Sequence, residues 1–398
     1  MAVENKETPR TIKTFALASF LNDMGSDMIY PIWPMFVTSF LGANMAVLGL
    51  IDGLGEALVS LSQAASGYIS DRIKRRKAFI WTGYLFATLS RIGYAFSTTW
   101  QHLIPFRILD RAGKIRGAPR DAMVADLSVR ENRGRHFGIL RAMDNLGAVC
   151  GIVLCILLFD ALGYKKLLLL AAIPSVVATL LIIAAIKEKK PPELKLFKGL
   201  ALKDLDRNFR LFLVLSLFFA LGSFSYSFLL LYAKHLGFKA SAVPVLYLIF
   251  SIVASLLSLP FGRLADRAGR KPVLLLSFVF WASVCLSFLF ARGRFSVALV
   301  FVLYGLHKAA LDPVQRAFVS ELAPAPYRAS SLGGFQMVVG LCALPASLIA
   351  GFLWEKVDSS APFLVSLGLT LAAIFLLLFV HERAGESETP VDKIKKMG

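Results

Sequence analysis

The chain has 398 residues, of which 57% are hydrophobic and 18% charged, and its mean hydropathy is +0.66. That is more apolar surface than a soluble core of this length buries, so an all-α membrane protein is expected, with no room beside its spans for a catalytic domain. The formal charge of +18 then belongs to basic loops against an anionic inner leaflet, and nucleic acid is excluded as a partner.

Taken in order, the apolar stretches predict twelve spans, at 13–40, 45–70, 77–97, 99–127, 136–160, 165–187, 209–234, 241–265, 272–291, 295–323, 328–354 and 360–382. Residues 1–187 and 209–398 form two six-helix halves, and 188–208, inside a polar stretch with Pro191-Pro192, form the cytoplasmic linker. Basic residues concentrate in the N-terminal tail, in the turns near 71–77, 130–135 and 266–271, in the linker and in the C-terminal tail. Both termini are therefore expected in the cytoplasm, against the minority signal of Lys165, Lys166, Lys239, Arg292 and Arg294. No cleaved leader is expected, since the N-terminal tail is polar. The four cysteines, Cys150, Cys155, Cys285 and Cys342, lie inside spans without a metal-type pairing and read as packing residues.

Function is sought in charges at membrane depth, where each is costly and faces a cavity or a partner. The first span carries Asn22, Asp23 and Asp27, and the second Asp52 and Glu56, each acidic pair one helical turn apart. Asp52 reads as a local cap or intrahelical partner near a membrane surface. The fourth span has Arg107, Asp110, Arg111 and Lys114 on one stripe, and the fifth Arg141 and Asp144. The seventh offers Ser223 to Phe228, hydroxyls among aromatics, with Tyr226 as a wall of the site. The tenth brings His307, Lys308, Asp312 and Arg316, with His307 a candidate proton relay. The first half thus holds the titrating groups and the second the apolar wall.

One signature occurs twice, 195 residues apart: Gly67, Asp71, Arg72, Arg75 and Arg76 in the first copy, and Gly262, Asp266, Arg267, Gly269, Arg270 and Lys271 in the second. The duplication resembles the loop motif of the major facilitator superfamily, and Lys74 replaces the usual glycine of the first copy. That resemblance implies two pseudo-symmetric six-helix halves around a central substrate site, and a gating role for Gly67, Asp71, Arg72, Arg75, Gly262, Asp266, Arg267 and Arg270. The run from Leu103 to Asp110 resembles the fourth-helix motif of the drug/proton antiporter branch, which implies proton coupling at Arg107; Asp110 and Arg111 depart from the pattern. Gly138, Gly147 and Gly151 have the spacing of the antiporter motif in the fifth helix, without its proline.

The expected protein is a monomeric, multi-pass transporter of the plasma (inner) membrane, surrounded by lipid, needing no cofactor or resident metal and catalysing no reaction. It exchanges protons for an amphipathic or drug-like small molecule. Proton-coupled uptake of a nutrient or organic anion is the alternative, followed by divalent-metal export, with Asp23 or Asp27 joined by His235 or His307, and by lipid flipping.

Overall fold

A computed structural model of the chain describes residues 7–73, 75–128, 130–188, 206–290, 293–323 and 328–382. Residues 189–205, Arg292, Lys74 and the tail from 383 fall outside these, as does the side chain of Asp71. The described residues are mostly helical, without a strand. The elements are α1 (Glu7–Asp27), the short α2 (Trp33–Met35) with a π-turn (Phe36–Phe40), α3 (Met45–Ile73), α4 (Arg76–Phe96), α5 (Trp100–Ala112), a 3₁₀ turn (Gly113–Arg116), α6 (Gly117–Leu127) and α7 (Arg130–Ala185). The second half comprises α8 (Arg207–Gly222), α9 (Tyr226–His235), α10 (Val243–Ala268), α11 (Arg270–Phe290), α12 (Arg294–Leu322), α13 (Arg328–Leu341), α14 (Ala343–Lys356) and α15 (Ala361–Leu378).

Eight segments are long and apolar enough to cross a membrane. One of them, Arg135–Ala185, is 51 residues long and turns at Gly163, so it contains two of the predicted spans. The first, third and fourth predicted spans are not among them; they carry Lys13, Asp23 and Asp27, then Lys77 and Arg91, then Arg107, Asp110 and Arg111. Several predicted spans are broken: the first at 28–32, the fourth by its 3₁₀ turn, the seventh at 223–225. The breaks free backbone groups and re-aim side chains, and irregular backbone of this kind is tolerated at membrane depth only inside protein or beside water.

The duplication seen in the sequence is a duplication of contacts. The backbone N–H groups of Arg76 and Lys77 donate to Glu188 at 2.9 and 3.0 Å, and those of Arg270 and Lys271 donate to Glu382. Arg76 pairs with Asp126 as Arg270 pairs with Glu321. Lys77 Nζ reaches the Ile183 carbonyl at 2.9 Å, and Lys271 Nζ the Leu378 carbonyl at 2.8 Å. These carboxylates satisfy donors that a helix start leaves open.

The matching residues correct the predicted alignment. Two residues, 74 and 75, separate α3 from α4, whereas Gly269 alone separates α10 from α11. The counterpart of Arg270 is therefore Arg76, which is 2% exposed, and not Arg75, which lies exposed in the turn. Gly269 has φ +99°, and a Cβ there would stand 2.7 Å from the Glu382 carboxylate, so the second copy needs its glycine.

Close helix contacts rest on glycine. A Cβ at Gly147 or Gly151 would meet the Phe20 or Met24 carbonyl oxygen of α1 at 2.3 or 2.2 Å, while Gly138 faces open space. At the end opposite the charged turns the two halves meet the same way. A Cβ at Gly49 would lie 2.1 Å from Ser347 O, one at Gly53 2.7 Å from Leu344 Cα, and one at Gly351 2.4 Å from Met45 O. Lys234 Nζ donates to Ser39 Oγ at 2.6 Å, and the Met45 N–H to Glu355 at 3.2 Å, across the same junction. The molecule is closed at that end and open toward the charged turns.

Candidate functional site

The centre of the first half is a ladder of charge. The i, i+4 carboxylates Asp52 and Glu56 of α3 face the i, i+4 guanidiniums Arg107 and Arg111 of α5. Arg107 Nη2 donates to Asp52 Oδ1 at 2.9 Å, and Arg111 Nη1 lies 3.5 Å from Glu56 Oε1. Asp110 stands behind both arginines, 4.0 Å from Arg107 and 3.6 Å from Arg111. Each arginine also covers a ring from the segment after α1, Arg107 over Trp33 of α2 at 4.3 Å and Arg111 over Tyr30 of the break at 5.4 Å, contacts that gain strength where water is excluded.

Asp52 is the hub, which corrects its reading as a local cap. It is 2% exposed. Its Oδ1 accepts from Trp33 Nε1 at 2.8 Å as well as from Arg107. Its Oδ2 accepts from the hydroxyls of Ser225 and Ser227 in the second half, at 2.7 and 2.5 Å. The break between α8 and α9 makes this possible, because Ser225 caps α9 and turns both hydroxyls toward α3. One buried carboxylate thus joins the halves through four donors, and such a charge is tolerated only when fully paired. Tyr226 adds a further link, donating to the Tyr30 carbonyl at 3.4 Å and packing on Tyr247 at 5.3 Å.

The remaining candidates divide into separate places. Asp23, Asp144 and Arg141 line a cavity of ≈ 130 Å³ inside the first half, together with Arg120, Lys114 and Arg116. There Arg120 donates to Ser19 at 2.5 Å and lies 3.9 Å from Asp144, and Arg141, 60% exposed, lies 3.4 Å from Asp144. Asp27 sits apart from them, against Tyr247 of α10.

His307, the candidate proton relay, belongs to neither place. It is buried between Phe219, Trp281 and Tyr304, and its Nδ1 lies 3.0 Å from Ser277 Oγ. Among the described residues no three His, Cys, Asp or Glu side chains gather as a metal site.

Of the gating residues, Asp266 pairs with Arg270 at 2.5 Å on its own turn. Arg72, Arg75 and Arg267 are exposed, Gly67 comes within ordinary contact of Ala118, and Gly262 faces open space. On the open side of the ladder lie two adjoining cavities of ≈ 370 and ≈ 380 Å³, lined from both halves. They share Ser60, Gln63, Arg316 and Gln336.

Sequence reading missed Arg120 and the roles of Asp52, Ser225 and Ser227. The signal for Asp52 was present, because the 52/56 spacing repeats the 107/111 spacing, but only the packing of α3 on α5 turns two stripes into rungs.

Comparison with other proteins bears on the whole chain. The profile of the Major Facilitator Superfamily matches residues 15–254 and 211–396. An uncharacterised MFS-type transporter of Methanocaldococcus jannaschii is 36% identical over 386 residues, covering 94% of this chain and 96% of that one. The multi-drug resistance efflux pump PmrA of Streptococcus pneumoniae is 27% identical, covering 77% and 79%. In structure, a mutant of the nucleoside transporter NupG superposes with a TM-score of 0.77 at 16% identity, covering 94% of this chain and all of that one, a likeness of fold alone. On the profile match and the archaeal relative, the chain belongs to the major facilitator superfamily, a family of multi-pass membrane transporters rather than enzymes.

Proposed function

We propose that this chain exports amphipathic, drug-like small molecules in exchange for protons, by alternating access. The observation that carries the reading is the Asp52 carboxylate, held by Arg107 on one side and by two hydroxyls of the opposite half on the other. An ion pair that also bridges the halves couples charge to conformation: loss of the carboxylate charge weakens both bonds at once. Arg107, Asp110, Arg111 and Glu56 then form the coupling centre, and Asp23 and Asp144 receive protons from the open side. The efflux activity named for the pneumococcal relative supports the direction.

With the charged turns in the cytoplasm, the conformer is open inward. Asp266 is then held on its own turn by Arg270, and Asp71 and Asp266 latch across the halves only when that side closes. The protein acts as a monomer in the inner membrane.

Proton-coupled uptake of a nutrient or organic anion is the second reading. It is favoured by the basic lining of the small cavity, where Lys114, Arg116, Arg120 and Arg141 outnumber Asp23 and Asp144.

The test is proton flux in proteoliposomes carrying an internal pH dye, with pooled cationic, neutral and anionic amphiphiles added outside. Export by exchange requires at least one pool to move protons in the wild type and not in Arg107→Ala. No movement with any pool, in folded protein, rejects proton coupling.

A further inference from the structure

The charges lining the two open cavities are nearly all spoken for. Glu56 pairs with Arg111, Lys308 with Asp312 at 3.2 Å, and Arg120 and Arg141 with Asp121 at 3.0 and 3.6 Å. Arg316 is the exception, exposed to both cavities without an acidic partner among the described residues. The other residues common to both cavities are neutral hydrogen-bonding side chains, Ser60 and Gln63 from α3 and Gln336 from α13. One guanidinium without an acidic partner, sharing both cavities with a hydroxyl and two amides, matches the needs of an oxyanion, since arginine offers a planar fork of donors and the amides and hydroxyl supply more. Beside this cluster the ≈ 370 Å³ cavity is lined by Phe219 and Phe335, an apolar berth for the rest of a molecule.

We propose that Ser60, Gln63, Arg316 and Gln336 form the head-group site of the transported molecule, and that this molecule is an amphipathic organic anion, a carboxylate or its like on an apolar body. The assignment rests on the transporter reading above and narrows its substrate class. It places recognition away from Arg107 and Arg111, whose guanidiniums are committed to Asp52, Asp110 and Glu56. It also draws one contact set from both halves, so the bound anion draws α3 toward α12 and α13.

The experiment uses the full chain in nanodiscs of phosphatidylcholine alone, so that no anionic lipid competes. Three probes share one naphthalene body: 1-naphthaleneacetate, 1-naphthaleneacetamide and 1-naphthylethylammonium. Calorimetric titration is expected to give the carboxylate at least about tenfold tighter binding than the amide or the amine. Arg316→Gln removes that preference and Arg316→Lys retains part of it. Gln336→Ala, a milder change in the same site, weakens the carboxylate alone. Equal binding of the three probes by the wild type, or an unchanged carboxylate affinity in folded Arg316→Gln, overturns the assignment. Proton flux with the same probes separates the two readings. Carboxylate binding without proton movement rejects proton coupling and leaves the anion site standing; proton movement driven by the amine alone rejects the anion site and leaves the transporter standing.

Discussion

The two halves share a scaffold and differ in what fills it. At the charged turns the contacts repeat almost group for group, as with Arg76–Asp126 and Arg270–Glu321. In the interior they part. The position 195 residues after Asp52 is Tyr247, after Arg107 it is Val302, after Asp110 it is Gly305, and after Arg111 it is Leu306. Where the first half is cross-linked by ion pairs, the second is packed with rings, among them Phe224 against Trp281 and Phe363, and Tyr232 against Phe288 and Trp354. A ring interior is held by close packing, which tolerates few voids and does not respond to charge. A paired-charge interior is held by partners that can be neutralised or displaced. The duplicated unit thus became a charge-sensitive half working against a stiff one.

The strongest way to break that contrast is Asp52→Ala. It leaves Arg107 buried without its carboxylate and releases Ser225 and Ser227, so a stability loss of about 3–5 kcal/mol is expected, read from unfolding of the purified protein in micelles. Asp52→Asn keeps an acceptor oxygen and is expected to lose less stability while abolishing proton-coupled transport. Retention of full coupling by Asp52→Asn removes this carboxylate from the mechanism.

Next is the repeat itself. Arg76→Ala removes the partner of Asp126 and empties a buried site, with an expected cost of about 1.5–3 kcal/mol; Arg75→Ala is expected to cost under about 0.5 kcal/mol. Equal effects restore the alignment that pairs Arg75 with Arg270.

A smaller effect is expected of His307→Phe, about 1–2 kcal/mol from the hydrogen bond lost to Ser277. The pH profile of transport is expected to stay where it was, because His307 is enclosed by rings and hydrogen-bonded to Ser277. A displaced profile returns His307 to the proton path. Smallest is Lys308→Ala, whose partner Asp312 is 54% exposed. A half-solvated pair of this kind is worth under about 1 kcal/mol.

Much of this was legible in the chain. The apolar composition, the duplicated signature and the basic turns point to a two-half membrane transporter because each is a local property, hydropathy over a window or residues within one turn. The Asp52/Glu56 and Arg107/Arg111 stripes were legible as stripes for the same reason, since helical periodicity alone puts their members on one face. Three things were decided only by the tertiary structure. Asp52 faces Arg107 because α3 packs on α5, and its bond to Ser225 and Ser227 spans more than 170 residues. His307 is enclosed because two other helices, α8 and α11, bring Phe219 and Trp281 against it. Arg316 has no acidic partner among the described residues, while Asp312, one turn away on the same helix, pairs with Lys308. A sequence states which charges a helix carries; whether a charge is satisfied depends on the helix that lies opposite, and that is settled only when the chain closes.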